Sequence, residues 1–223
     1  MNRFAELSIA LFAWLCACTL IAAVGAVFMF LLVHGGAALN LQTIFGDTSV
    51  WDAVTMQKAV FDGLFPAIVG TVLLVIISVG LALPVGIAAG IYLAAYSGPF
   101  MKSVFSLFCD ILAGVPSILV GLFGFSLSIF LHKYVSQNIY PCLLISAASL
   151  SFLVLPYLIR TTQIALEQIP LEERLTAIAL GADKLQNIAH VLIPRSLSGI
   201  VSGIILSIGR CAEDTAVIML TGV

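Results

Sequence analysis

Five long apolar runs alternate with polar segments along the chain, at about residues 7–33, 65–96, 103–131, 141–159 and 196–222. A helix rises about 1.5 Å per residue, so about 20 residues cross the hydrocarbon of a bilayer. All five runs reach that length, the fourth only marginally. None alternates as a strand does, and each is far longer than a barrel strand. The pattern therefore predicts an all-α, polytopic transmembrane helical bundle. The first run is 27 residues long, beyond the roughly 7–15 of a signal-peptide core. It reads as a first span that stays in place.

The longest polar interruption after the first loop is 160–195. It carries Arg160, Glu167, Glu172, Glu173, Arg174, Asp183, Lys184 and Arg195, which is 8 of the chain's 20 charged residues. Within it Leu171, Leu175, Ile178, Ala182 and Leu185 recur at steps of 4, 3, 4 and 3. That spacing puts an apolar stripe on one face of a short helix. Such a helix cannot cross a bilayer. It is expected to lie at the surface and dock against a partner. Pro170 stands where a helix can begin, and Pro194 where one stops or kinks.

Composition agrees with a membrane chain. It is 61% hydrophobic and 9% charged, against about 25% charged in soluble domains. The net charge of -2 says less than where the charges fall. With the N-terminus inside, Arg3, Lys102, Arg160, Arg174, Lys184 and Arg195 lie on the cytoplasmic side, and Lys58 and Lys133 outside. That distribution obeys the positive-inside rule, and the inverted topology breaks it. The loop at 34–64 adds Asp47, Asp52 and Asp62 outside. No basic patch suits a nucleic acid. The five cysteines, with no CxxC and no partner histidines, read as small buried hydrophobes. Pro84, Pro116 and Pro156 interrupt the second, third and fourth runs, and Gly86–Gly90 and Gly199–Gly203 form GxxxG pairs that allow close helix approach.

Three charges fall inside the fifth run: Arg210, Glu213 and Asp214. An Arg at mid-membrane costs about 2.5–3.5 kcal/mol on insertion scales. Arg210 and Asp214 are i,i+4, and Arg210 and Glu213 i,i+3, so either acid can pair with it. One reading is an anion site, since a guanidinium fork matches an oxyanion and a carboxylate can hold it until substrate arrives. The other is an internal ion pair that locks helices. Asp110, about 12 Å into the third run, is either a hydrated carboxyl near the interface or a second residue of such a path.

The polar interruption resembles the EAA loop of importer permeases of the ATP-binding-cassette class. Ala177, Gly181 and Pro194 stand at that motif's second Ala, its Gly and its Pro, with thirteen residues from Gly181 to Pro194. Val191 and Ile193 take its Ile and Leu positions. Leu175 and Thr176 replace its Glu and first Ala, and the nearest acids, Glu172 and Glu173, lie one turn earlier. Three further stretches are similar to the phosphate-specific (Pst-type) permeases: 113–124, 155–162 and 209–216. In the last, Arg210, Asp214 and Thr215 match the family's Arg, acid and Thr.

The resemblance implies a permease fold with 1–64 as first span and outer loop, and 65–223 as a core carrying a cytoplasmic coupling loop at 160–195. It implies six spans, of which five are visible; the chain ends at Val223 as a fragment or a truncated form would. The implied substrate path is Arg210, Asp214, Glu213, Thr215 and Asp110. Glu172, Leu175, Ala177, Ile178, Gly181, Ala182 and Pro194 are expected to meet an ATPase. The expected partners are ATP-binding cassette subunits, a second permease, a periplasmic phosphate-binding protein and membrane lipid, in a bacterial or archaeal inner membrane. The chain has no Gly-x-x-x-x-Gly-Lys-Ser/Thr stretch. It is expected to bind no cofactor itself and to be no enzyme; ATP and magnesium would sit on the partner ATPase. The rival readings are a permease for sulfate, molybdate or tungstate, a carrier without an ATPase, and a non-transporting scaffold.

Overall fold

The computed structural model describes residues 3–36, 40–46, 51, 63–135, 137 and 140–221, with the side chains of 3–5 left out. Asp47, Asp52, Lys58 and Asp62 lie outside the described residues. Every regular element among the described residues is helical. Among the described residues five helices are long and apolar enough to cross a membrane. The chain divides into two units, Met1–Val69 and Gly70–Val223.

In the first unit α1 (Arg3–Gly35) is a single helix of 33 residues, about 50 Å long. Its described side chains from Glu6 to His34 are exposed on every face. A helix that is apolar all round suits lipid. Thr19 satisfies its hydroxyl within the helix by donating to the Leu15 carbonyl at 3.0 Å. A short α2 (Leu41–Phe45) follows, and the Phe45 ring meets Phe65 at 5.2 Å between centroids.

The second unit is built around one helix. Its elements are α3 (Phe65–Ala95, which begins in the first unit), α4 (Pro99–Ala113), α5 (Ser117–Tyr134), α6 (Leu143–Glu167), α7 (Leu171–Ala179), α8 (Lys184–Asn187), α9 (Ile193–Glu213) and α10 (Thr215–Thr221). Leu150, Leu153, Val154 and Leu158 of α6 pack with Leu74, Val75, Val79 and Ala82 of α3, and with Cys211 and Val217. Leu93, Cys109 and Ile159 tie α3, α4 and α6 together. Two buried serine hydroxyls close on their own helices, while the Thr162 hydroxyl of α6 is buried without a partner. Ser78 donates to Leu74 at 2.6 Å and Ser207 to Gly203 at 2.8 Å, so neither serine faces hydrocarbon unpaired.

Both GxxxG pairs face α6. A Cβ on Gly86 would stand 2.7 Å from Leu158 Cβ, and one on Gly90 2.6 Å from Thr162 Cβ and 2.9 Å from the Ile159 carbonyl oxygen. A Cβ on Gly199 would meet Ala165 Cβ at 2.5 Å, and one on Gly203 would overlap the Thr161 side chain. Small residues thus let two backbones approach α6 along two seams. Gly90→Val is expected to lower stability by about 1–3 kcal/mol through overpacking. Gly80→Ala, with nothing within 4 Å of its Cβ, should instead gain about 0.5–1 kcal/mol. Opposite shifts of melting temperature in detergent would bear out the seam; equal shifts would contradict it.

Five expectations are corrected. The third run is not one span: α4 ends at Ala113 and α5 starts at Ser117. Pro116, at φ -57° and ψ 130°, has no N–H for the ladder and biases Val115 away from helix. Pro84 and Pro156 do not interrupt their helices; both lie inside continuous ones. The fourth span runs on through Arg160 to Glu167, so the surface segment begins only at Gln168. The fifth begins far earlier than expected, because a helix runs from Lys184 to Glu213. It passes Pro194 by way of a π-turn at Ile188–Leu192, where wider winding accommodates the missing N–H and the proline ring. Of the cysteines, Cys109 and Cys211 are buried as expected, while Cys16, Cys18 and Cys142 are exposed.

Candidate functional site

The three charges of the fifth run meet at a break in the helix. α9 ends at Glu213, and Asp214 takes an extended conformation with φ -83° and ψ 93°. Asp214 is buried, only 5% exposed. Its Oδ1 accepts the backbone N–H of Val217 at 3.2 Å, which makes it the N-cap of α10. The charges therefore do not sit in the middle of one continuous helix. The acid that pairs with Arg210 is Glu213, at i,i+3, and not Asp214.

Arg210 stands in the last turn of α9, where a cation complements the helix dipole. Tyr157 of α6 and Asp214 are within its electrostatic reach. Its side chain is 34% exposed and that of Glu213 63% exposed. Arg210 Nε is buried without a hydrogen-bond partner. The guanidinium is partly open, and its ion-pair partner among the described residues is exposed, so its fork is able to meet an oxyanion in exchange for Glu213. Thr215, exposed, opens α10. Asp110 lies on an exposed face of α4, one turn before its end. Among the described residues no hydrogen bond or ion pair joins Asp110 to Arg210.

The expected surface helix is broken in two: α7 stands alone, and α8 already begins the long helix that runs through the π-turn into α9. α7 starts directly after Pro170 and closes in a turn at Gly181. Gly181 has φ +88°, its N–H donates to the Ile178 carbonyl at 3.0 Å, and the Ala182 N–H donates to Ala177 at 3.0 Å. These are the paired bonds of a Schellman cap, which needs a left-handed residue. Ala182 and Leu185 therefore leave the face of Leu171, Leu175 and Ile178. Gly181→Ala is expected to cost about 1–2 kcal/mol, read as a lower melting temperature and faster proteolysis at 180–183; unchanged values would show that the turn is not held. Asp183 and Gln186 then form a capping box that starts α8.

This segment is bound to the ends of the long helices. Arg174 donates to the Leu166 carbonyl, and Asn187 Nδ2 donates to the Arg174 carbonyl at 2.9 Å. Arg195 pairs with Glu173 at 3.2 Å. The Lys184 ammonium lies 4.2 Å from the centre of the Tyr96 ring. Lys102 bonds Glu167 at 3.0 Å and the Ala94 carbonyl at 3.2 Å. Leu166, Ile169, Ile188 and Leu192 pack beneath with Ala94. Outward, the segment stays apolar: Leu171 is 68% exposed, Leu175 49% and Ile178 48%, with Glu172 exposed beside them. Ala177 lines a groove of about 260 Å³ with Thr176, Leu180 and Val191, and Pro194 is exposed at the start of α9. Sequence reasoning missed the tethers by Lys102, Arg174 and Asn187. The capping box, Asp followed at the third place by Gln, was a signal it could have used.

The chain resembles known proteins over this same region. Residues 86–223 match the family described as binding-protein-dependent transport system inner membrane component. The chain is 37% identical over 161 residues to the phosphate transport system permease protein PstA 1 of Mycobacterium tuberculosis, covering 72% of this chain and 51% of that one. It is 36% identical over 160 residues to the phosphate transport system permease protein PstA of Yersinia pestis, covering 71% and 52%. For the PstA protein of Xylella fastidiosa (strain Temecula1) the figures are 34% over 167 residues, 74% and 55%. The chain spans about half the length of the curated relatives it matches. The stretches 113–124, 155–162 and 209–216 and the loop at Gly181 all fall within the matched region. This multi-pass membrane chain belongs to the family of binding-protein-dependent transport system inner membrane components.

Proposed function

We propose that the chain is the transmembrane permease subunit of an ATP-driven importer of inorganic phosphate. The observation that carries this reading is Arg210, a costly cation at the break between α9 and α10, partly open and paired with an exposed carboxylate. Relatives named as phosphate transport system permeases support phosphate as the anion. Arg210 holds the phosphate in transit, and Glu213 releases it when substrate enters. Thr215 lies beside the break, and Asp110 flanks the path from α4.

The exposed stripe of Leu171, Leu175 and Ile178 docks on an ATPase subunit, which binds ATP and magnesium. Glu172, Ala177, Gly181, Ala182 and Pro194 shape that contact. A second permease completes the path and a periplasmic phosphate-binding protein delivers the cargo. The N-terminus lies in the cytoplasm of a bacterial or archaeal cell, with the permease in its inner membrane. The permease translocates the anion and itself hydrolyses nothing. Uptake of labelled phosphate by cells that rely on this system tests the anion. An excess of unlabelled phosphate should abolish the signal, and an equal excess of sulfate or molybdate should leave it. Equal competition by sulfate or molybdate would mean a different oxyanion.

A further inference from the structure

We propose that Asp214 serves the site as the cap that ends α9 and starts α10, and not as a counter-charge to Arg210. The inference rests on the reading of Arg210 as the substrate residue. Asp214 is the one buried acid among the described residues, 5% exposed, and its carboxylate is turned to the Val217 N–H at 3.2 Å. α10 is fixed from its other side as well. A Cβ on Gly121 would stand 3.1 Å from Val217 Cα and 3.3 Å from the Ala216 carbonyl oxygen, and one on Gly124 2.9 Å from Thr221 Cγ2. The cap therefore sets where a helix already held against α5 begins.

The consequence lies in which acid bonds Arg210. In an unbroken helix Asp214 would lie one turn beyond Arg210 on the same face. Two carboxylates could then bond one guanidinium, and an incoming oxyanion would have to displace both. The break turns Asp214 to the Val217 N–H, its charge still within reach of Arg210, and among the described residues leaves Glu213, exposed and bonded to Arg210, as the single ion-pair partner. One carboxylate can then be exchanged for one oxyanion at little change in charge. Asp214 is thus a positioning residue, and what it needs is a short side-chain acceptor and not a charge.

Asn and Ser cap as well as Asp, and Ala does not. The test is labelled-phosphate uptake by cells carrying the full chain with its transport system, with membrane levels followed by immunoblot. Asp214→Asn and Asp214→Ser should keep uptake and KM within about twofold of the parent, while Asp214→Ala falls about tenfold, as loss of a cap implies. Loss of uptake in the Asn and Ser variants, or their absence from the membrane, overturns the proposal. Full uptake by Asp214→Ala also overturns it. Arg210→Ala is assayed alongside. Full uptake by that variant overturns the substrate-path reading instead, so the two failures are told apart.

Discussion

Arg210→Ala is expected to bring phosphate uptake to background while the chain remains in the membrane at its normal level. A guanidinium fork makes two charge-assisted bonds to an oxyanion, at about 1.5–3 kcal/mol each. At 1.4 kcal/mol per decade, their loss corresponds to about a hundredfold or more. Folding should not suffer, because the substitution removes an insertion cost of about 2.5–3.5 kcal/mol. The one ion pair it breaks is to Glu213, a partner 63% exposed, and exposed pairs contribute at most about 1 kcal/mol. Arg210→Lys keeps the charge without the fork and should fall between the two. Uptake rates normalised to immunoblotted chain decide it. Normal uptake by the alanine variant would return Arg210 to the role of a packing ion pair.

The second large effect concerns the surface segment. Leu175→Asp combined with Ile178→Asp should leave the chain folded and abolish its association with an ATPase subunit. Both side chains are about half exposed on α7, so the bundle loses little. Burial of each on a partner is worth about 1.5–3 kcal/mol, and placing a charge there adds a desolvation cost. The sum weakens binding by about a hundredfold or more. Co-purification from detergent would show the loss. Retention of an ATPase at the parent level would mean that the docking face lies elsewhere. Glu172→Ala, at the rim, should matter far less.

The spans were legible because hydropathy over about 20 residues survives local irregularity. Breaks within them were not. The 103–131 run reads as one span by composition, yet Gly114-Val115-Pro116 ends one helix before another starts. Pro84 and Pro156 carry the same chemical signal and break nothing, so proline alone does not decide. The i,i+4 spacing of Arg210 and Asp214 suggested a pair only because the helix was taken as continuous. The missed signal was Asp214 itself, an N-cap residue standing before the apolar stretch 216–220. The stripe through Leu185 failed for a similar reason: periodicity passes over Gly181, whose positive φ ends the helix. What stands out in the sequence are residues whose cost or spacing is local, such as Arg210 and the Gly181 to Pro194 interval. The π-turn at 188–192 carries no residue signature, since it reflects how the helix passes Pro194 while packing Ile188 and Leu192 inward.

The central claim is that this chain works as the membrane part of an ATP-driven importer. The most direct measurement is affinity purification of the tagged chain from detergent-solubilised membranes, with the bound proteins identified by mass spectrometry. Recovery of an ATP-binding cassette subunit together with a second permease is the expected result. A chain recovered intact from the membrane with neither would contradict it.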